Sequence, residues 1–457
     1  MLTFLSWTMI IVFMILIIKK KLTPFSALII VPIAFTLIGS FFGLYSAQVI
    51  KINEIANPTM LDQILVIGDW TVEGVKKVST TAVMLLFAIL YFSIMLNTGL
   101  FDPVTKKMIK FAKGDPVKVL VATAAISAVV SMNGDGTTTT LIVCTAFIPI
   151  YKELGLKMMN LGVLLILMNT IMNLLPWGGP TARVISVLSG VGEQEILRAL
   201  VPGMVVSVLY MLGVAYYLGI KERKRIGIKT LSDEDIEKLT EITDPERLAL
   251  RRPQNIWFNG IMTIAIIAML VLGTFPSVFL FLVGTALSLV VNYHSLKEQK
   301  NRIQVNAGDA LQVVILVLGA GIFMGLFTGS GMADSLAISM TNMIPSSFGC
   351  FWGLIVAILS VPGTFFLSND AFYYGVLPVL AQAGQQYGFT ALELGTASLL
   401  GQAFHLLSPL VAFIYLLLNL TGLDMGEWQK ESAKWAVGIF VIFIVMASVT
   451  NAVPLFK

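Results

Sequence analysis

The sequence predicts an all-α polytopic membrane protein made of two inverted repeats, each with five membrane spans (one of them broken) and one re-entrant hairpin. Three observations lead to this prediction: apolar blocks of spanning length, a one-sided distribution of basic residues, and a recurrence at half the chain length. Of the 457 residues, 57% are hydrophobic and 12% are charged, whereas a soluble domain carries about 25% charged residues. The composition therefore excludes an ordinary soluble enzyme.

Ten apolar blocks give the predicted spans, because a helix needs about 20 apolar residues to cross a ~30 Å hydrocarbon core. Lys19, Lys20 and Lys21 follow the first block, which lacks the cleavage site of a signal peptide, so we expect this block to be a retained span. The blocks are residues 3–18, 23–44, 79–98, 158–190 (interrupted), 200–220, 256–273, 275–293, 309–328, 391–420 (interrupted) and 434–453.

The basic residues predict that both termini lie outside the cell. With the first span leading inward, 24 of the 30 Lys and Arg residues fall in cytoplasmic segments and 5 fall outside, which is the bias that membrane proteins show. Arg183 is the remaining one and lies inside an apolar block. The same bias accounts for the formal net charge of +4, so we expect no nucleic-acid partner.

Two further apolar blocks, hairpin 1 (117–151) and hairpin 2 (349–387), must leave the membrane on the side where they enter it for this charge distribution to hold. Hairpin 1 is interrupted by the polar run from Ser131 to Thr140, and hairpin 2 by Pro362–Gly363 and by residues 367–370. Non-helical backbone at membrane depth is tolerated only where it is buried in protein or lines a watery cavity. Both breaks are therefore expected to line a site.

The two halves of the chain resemble each other. Because each half then holds an odd number of spans, the second half is expected to be inverted relative to the first. Inverted repeats whose broken helices meet near the midplane are the architecture of secondary transporters. Gly155, Leu161, Gly162 and Pro176 match Gly388, Leu394, Gly395 and Pro409 at an offset of 233, and Gly99-x-x-Asp102 matches Gly331-x-x-Asp334 at an offset of 232.

Asp135 and Asp370 are the only acids at the predicted hairpin tips, one in each half. Ionisable groups at membrane depth are costly and indicate function, so these acids are candidates for binding a coupling ion. The alternative is that they only cap the returning half-helices near Thr137 and Ala371. Helix N-termini at the tips favour an anion, whereas oxygen-rich tips equally favour a hard cation.

The interrupted spans, broken helix 1 (158–190) and broken helix 2 (391–420), supply further polar residues. Arg183 follows a Pro- and Gly-rich break, and its guanidinium matches a carboxylate bidentately; the alternative is that it extends to the outer interface. His405 is one of two histidines and is a candidate for proton exchange or for a neutral structural role.

The tips and breaks together give the predicted site. The predicted substrate-binding residues are Asn133, Gly134, Gly136, Thr137, Thr138, Asn169, Asn173, Gly178, Gly179, Thr181, Arg183, Ser368, Asn369, Gln402, His405 and Ser408. The predicted metal- or proton-coupling residues are Asp135, Asp370 and Asn133.

These residues resemble the citrate-metal:proton symporter (CitMHS) family of the ion transporter superfamily. The resemblance covers nearly the whole chain and rests on residues 101–103, 113–116, 131–138, 176–183 and 367–370. It implies import of citrate by proton symport, as a complex with a divalent cation such as Mg²⁺ or Ca²⁺ and without a permanent cofactor. The alternative is a sodium-coupled symporter of free di- or tricarboxylates.

The resemblance also implies an elevator-type homodimer in a bacterial plasma membrane. It divides the chain into scaffold parts (1–115 and 256–347), transport parts (116–220 and 348–457) and a cytoplasmic linker (221–255). In the linker, Ser232-x-x-Asp235 and three apolar residues, Ile236, Leu239 and Ile242, predict a short capped amphipathic helix.

One position departs from the family pattern: Asn133 stands where the family more often has Asp. This removes one carboxylate from the tip, although Asn can coordinate a cation through its carbonyl oxygen. An intramembrane enzyme is not expected, because the sequence has no HExxH, Gly-x-Ser-x-Gly or usefully spaced Cys–His arrangement.

Overall fold

The computed structural model describes the backbone of residues 1–53, 57–229, 231–232, 234, 245–343 and 346–457. These residues form helices and connecting turns, with no β-strand among them. The predicted linker helix beyond Ser232 lies outside the described residues. The first half contains α1 (Leu2–Ile18), α2 (Pro24–Phe41), α3 (Ser46–Asn53), α4 (Met60–Asn97), α5 (Asp102–Ala112), α6 (Pro116–Ser131), α7 (Gly136–Leu154), α8 (Met158–Met172), α9 (Gly179–Val187) and α10 (Glu193–Ile226).

The second half follows the short helix α11 (Pro245–Leu250) and a 3₁₀ turn (Pro253–Asn255). A π-helical segment (Ala371–Val376) leads into α18. The helices are α12 (Ile256–Leu272), α13 (Ser277–Asn292), α14 (Leu296–Gly329), α15 (Met332–Met343), α16 (Ser346–Gly349), α17 (Trp352–Phe366), α18 (Leu377–Gln386), α19 (Ala391–Leu399), α20 (Gln402–His405), α21 (Ala412–Thr421) and α22 (Met425–Val449).

The order of the main elements is the same in both halves. Two helices are followed by a long helix, a short helix, a helical hairpin, a broken helix and a last long helix. The matched glycines after the two long helices, Gly99 and Gly331, both adopt a left-handed conformation, with φ of +82° and +74°. Because this conformation strains residues that carry a Cβ, the recurrence of glycine at these turns has a structural reason.

Six helices are long and apolar enough to cross a membrane by length and composition. Two of them begin earlier than the sequence predicts, since α4 starts at Met60 and not near residue 79, and α14 starts at Leu296 and not near residue 309. The early turns carry charged residues and therefore lack a continuous apolar signal. A capping box between Thr59 and Asp62 nevertheless begins α4. The spanning candidates are Pro24–Phe41, Met60–Asn97, Glu193–Ile226, Pro253–Leu272, Ala310–Gly329 and Met425–Val449.

The breaks in the hairpins are shorter than the sequence predicts. In hairpin 1 only residues 132–135 separate α6 from α7, so the threonines at 137–140 are helical. The prediction of a break from 131 to 140 was wrong there, because Asp135 caps α7 and starts it at Gly136. In hairpin 2, α17 continues through Pro362 and Gly363, and the break is confined to residues 367–370.

Both ends of the linker are anchored by ion pairs. Near its start, an Arg223 Nη2 atom lies 2.5 Å from an Asp115 carboxylate oxygen at the beginning of α6. Near its end, Arg251 Nε lies 2.7 Å from Asp102 Oδ2 at the beginning of α5. Burial raises the pKa of the Asp102 carboxyl, and the charge of Arg251 opposes that rise. The described parts of the linker thus contact both a predicted transport part and a predicted scaffold part.

The long helices α4 and α14 cross at close range through glycines. A Cβ added to Gly74 would lie 2.0 Å from the carbonyl oxygen of Gly321, and one added to Gly325 would lie 2.2 Å from that of Trp70. Small residues permit such backbone contact between membrane helices. The ring of Trp70 packs edge-on against Tyr45 at a centroid distance of 5.6 Å. These contacts hold the two halves of the chain together.

We expect Gly74→Ala to lower the free energy of unfolding by about 1–3 kcal/mol, because its methyl group overpacks the crossing. Gly68→Ala is the matched control on the same helix, since no atom lies within 4 Å of a Cβ there; it should be neutral or stabilise by up to about 1 kcal/mol. The melting temperature of each purified variant in detergent is the measurement. Equal melting temperatures would contradict the assigned role of the crossing.

Candidate functional site

An ion pair joins broken helix 1 to the tip of hairpin 2. Arg183 Nε donates to Asp370 Oδ1 over 2.7 Å, and Arg183 Nη1 donates to the carbonyl oxygen of Gly179 over 2.8 Å. The two side chains are only 18% and 17% exposed. A charge removed from water is strongly destabilising unless it is paired, so each residue neutralises the other. The alternative that Arg183 extends to the outer interface does not describe this geometry.

The break in broken helix 1 positions Arg183. A Cβ on Gly178 would lie 1.9 Å from the carbonyl oxygen of Asn173, so this turn requires glycine. The side-chain oxygen of Asn173 accepts a bond from the backbone N–H of Gly179 over 3.3 Å, and Thr181 Oγ1 donates to the carbonyl oxygen of Leu174 over 2.7 Å. Two side chains therefore hydrogen-bond the backbone across the break and fix where α9 begins.

At the tip of hairpin 1, Asp135 caps α7. Its carboxylate accepts from the backbone N–H groups of Thr137 and Thr138 over 3.3 and 2.6 Å, and the residue is exposed. The neighbouring Asn133 is buried, and its Oδ1 accepts from the backbone N–H of Asp135 over 2.6 Å and from Thr139 Oγ1 over 3.3 Å. The geometry of Asp135 is therefore that of an N-cap.

Hairpin 1 also contacts broken helix 1. Asn169 Nδ2 donates to Ser131 Oγ over 3.2 Å, and Trp177 Nε1 donates to the carbonyl oxygen of Met132 over 2.7 Å. Two buried atoms beside these contacts, Asn133 Nδ2 and Asn169 Oδ1, make no hydrogen bond. Buried polar atoms are rarely left unpaired, so they mark this contact as a place where a ligand would supply partners.

The tip of hairpin 2 divides the work of capping and ion pairing between two residues. Ser368 Oγ accepts from the backbone N–H of Ala371 over 3.2 Å, whereas the Asp370 side chain makes no cap bond. Asp370 is thereby available to Arg183. Asn369 Oδ1 accepts from Gln402 Nε2 over 3.2 Å, and the same nitrogen donates to the hydroxyl of Tyr373 over 2.7 Å.

His405 lies at the break in broken helix 2 and is buried. Its Nδ1 lies 2.7 Å from the carbonyl oxygen of Thr364 in hairpin 2. Because a carbonyl oxygen can only accept, Nδ1 carries the proton in this contact. Nearby, Ser408 Oγ accepts from the backbone N–H of Leu410 over 3.2 Å, and Ser360 Oγ accepts from that of Gly401 over 3.0 Å.

Corresponding amide side chains secure the two hairpins. Asn169 and Gln402 are 233 residues apart, which is the offset of the internal recurrence, and each donates to the hairpin of its own half. Ser131 and Thr364, which accept from Asn169 and from His405, are separated by the same offset. The recurrence could have identified Ser131 and Thr364 from the sequence, although neither was predicted as a site residue.

The structure thus brings most of the predicted residues into two hairpin–helix contacts that the ion pair of Arg183 and Asp370 connects. Asp135 and Thr137 are exposed, and Gly136 packs against the ring of Phe413, which would lie 2.2 Å from a Cβ at that position. Among the described residues, no group of three or more His, Cys, Asp or Glu side chains is placed to hold a metal ion. Resident metal chemistry of that kind has no basis in this part of the chain.

Comparison with known proteins gives the family. The model of the CitMHS family, described as citrate transporter, matches residues 7–401. The chain belongs to the CitMHS family. The predicted family is therefore confirmed.

Two relatives of this CitMHS chain come from Bacillus subtilis (strain 168). One, named citrate transporter, is 43% identical over 98% of both chains. The other, named Mg(2+)/citrate complex secondary transporter, is 37% identical over 100% of both chains. Family and relatives are transporters and not enzymes, so this protein is a membrane transporter, as the sequence predicts.

A solved structure shows the same fold. The chain resembles the crystal structure of the Alcanivorax borkumensis YdaH transporter, with a TM-score of 0.55 and 11% identity, over 93% of this chain and 100% of that one. At this identity the likeness concerns the fold alone. It agrees with an all-helical polytopic transporter.

We expect Arg183→Gln to lower the free energy of unfolding of this CitMHS protein by about 3 kcal/mol, because it leaves the Asp370 carboxylate buried without a cation. Adding Asp370→Asn to that variant should recover most of the loss, since no unpaired charge then remains. Melting temperatures of the two single variants and the double variant form a double-mutant cycle. Additive losses would show that the two side chains do not stabilise each other.

Proposed function

We propose that this CitMHS protein imports citrate as a complex with a divalent cation, Mg²⁺ or Ca²⁺, by proton symport. The ion pair between Arg183 and Asp370 is the observation that carries the proposal. It combines a guanidinium, which binds carboxylates, with an acid that can take up a proton, and it does so where two helix breaks meet. The relative named for Mg(2+)/citrate supports the metal complex as the transported form.

The metal in this proposal lowers the cost of moving citrate into the protein. Citrate carries three carboxylates, and a bound divalent cation reduces the net charge of the ligand to about −1, which lowers the desolvation cost. One guanidinium then suffices for the anionic side of the ligand. The N-terminus of α9, with the N–H groups near Gly179, adds further donors for a carboxylate.

Exchange of carboxylates at Arg183 would couple substrate to proton. A substrate carboxylate displaces Asp370 from the guanidinium, because both compete for the same N–H donors. The released Asp370 is left without a cation in a poorly solvated place and takes up a proton. The net charge at the tip of hairpin 2 is thus restored when substrate and proton bind together.

Hairpin 1 supplies the proposed cation side of the site. The side-chain oxygens of Asn133, Asn169 and Ser131 converge there, and Asn169 Oδ1 has no hydrogen-bond partner. Neutral oxygens are suitable ligands for a hard cation, and Asp135 adds a carboxylate at the exposed edge of the tip. The same oxygens would serve Na⁺ in the alternative function, sodium-coupled symport of free di- or tricarboxylates.

The proposed architecture is an elevator-type homodimer of inverted repeats in a bacterial plasma membrane, with both termini outside. Hairpins and broken helices (116–220 and 348–457) form the moving transport domain, and residues 1–115 with 256–347 form the scaffold. Two observations support this division. The ion pair joins transport parts from both halves, and the glycine crossing of α4 with α14 joins the two scaffold parts.

Uptake of labelled citrate into proteoliposomes tests this function. With an inward proton gradient, we expect uptake to require Mg²⁺ or Ca²⁺ and to fall when the gradient is collapsed by a protonophore. Replacing Na⁺ by choline should leave uptake unchanged. Uptake indifferent to metal and pH would refute metal–proton coupling, and uptake lost in choline would establish the sodium-coupled alternative.

A further inference from the structure

A cavity of about 280 Å³ lies between the crossing helices α4 and α14 and the end of α9. It is separate from the ion pair, since neither Arg183 nor Asp370 lines it. Four hydroxyl side chains line the cavity, and Gly74 and Gly325 of the crossing form part of its wall. The hydroxyl residues are Thr81, Ser186, Ser189 and Thr328.

Lys77 is the one charged residue among those that line this cavity, and it is exposed. Its neighbour Lys76 does not line the cavity and instead lies 3.8 Å from Glu73, with which it forms an ion pair. No acid lines the cavity. A concave surface with a single ammonium group and several hydroxyls has the chemistry that attracts a small anion.

The cavity leads toward Arg183. Ser186 lies one helical turn beyond Arg183 on α9, and its hydroxyl donates to the carbonyl oxygen of Arg183 over 2.7 Å. Lys77 and Arg183 thus lie on opposite sides of Ser186 along the wall of one cavity and the helix behind it. An anion that reaches the hydroxyls of the cavity is within one turn of the proposed substrate guanidinium.

We propose that this cavity, here called the Lys77 cavity, is a first binding site in which a carboxylate substrate is held before it reaches Arg183, and that Lys77 draws the substrate in. The identity of the substrate rests on the proposed function, whereas the anion preference of the cavity rests on its own lining. Its volume approaches that of sites for small ligands, about 300 Å³ and above. Lys77 would act on capture of the substrate and not on its passage through the membrane.

Uptake kinetics of Lys77→Gln test this role, with Lys76→Gln as the matched control and Lys77→Arg as the charge-preserving variant. We expect Lys77→Gln to lower kcat/KM for citrate about tenfold at low ionic strength, through a higher KM and with kcat unchanged. The deficit should shrink in high salt, because salt screens exposed charges. Lys76→Gln and Lys77→Arg should behave like the wild type.

A chemical measurement separates failure of this inference from failure of the proposed function. Ser189→Cys places an exposed thiol in the cavity, and its rates of reaction with anionic and cationic methanethiosulfonate reagents are compared against the protein without that cysteine. Adding Lys77→Gln, but not Lys76→Gln, should reduce the preference for the anionic reagent several-fold. That result in a protein that fails to transport citrate would sink the proposed function and keep the anion site.

Equal kinetics for Lys77→Gln and Lys76→Gln in a protein that transports citrate would overturn the inference. A reagent preference unaffected by Lys77→Gln would overturn it as well. A loss of kcat with KM unchanged would also contradict it, because Lys77 would then act on a later step.

Discussion

The pairing of Arg183 with Asp370 is the interaction on which the rest of the proposed mechanism depends. A chain with 12% charged residues carries few charges that must be neutralised within its apolar blocks, and this pair links the first half of the chain to the second. A buried pair contributes little net stability, although breaking it is costly. Such a pair is suited to partner exchange, since a substrate carboxylate can replace Asp370 without leaving the guanidinium unpaired.

The two hairpins are arranged so that only one of their acids is available for exchange. In hairpin 1 the carboxylate of Asp135 satisfies the N–H groups at the start of α7. In hairpin 2 the hydroxyl of Ser368 accepts the corresponding bond, and Asp370 is left for Arg183. Equivalent amides, Asn169 and Gln402, secure both hairpins. The two halves therefore have similar frames but different chemistry at their tips, which agrees with one side binding a cation and the other an anion.

The sequence predicted the location of the hairpins and helix breaks well, because glycine, proline and asparagine disrupt helices through local backbone effects. It could not predict that the threonines after Asp135 are helical, since this depends on how that cap is made. It also left open whether Asp370 is a cap or a functional acid. Ser368 and Asp370 lie within three residues and both have acceptor oxygens, so only the position of Arg183, 187 residues away in the chain, decides between them.

Proton uptake on substrate binding tests the central claim most directly. Calorimetric titration of the purified protein with preformed Mg²⁺–citrate, in buffers of different ionisation enthalpy, reports the net number of protons taken up. The account predicts net uptake by the wild type and by Asp135→Asn, and none by Asp370→Asn, which retains Arg183 for binding. Unchanged proton uptake in Asp370→Asn, or binding to the wild type without proton uptake, would contradict the exchange of carboxylates at Arg183.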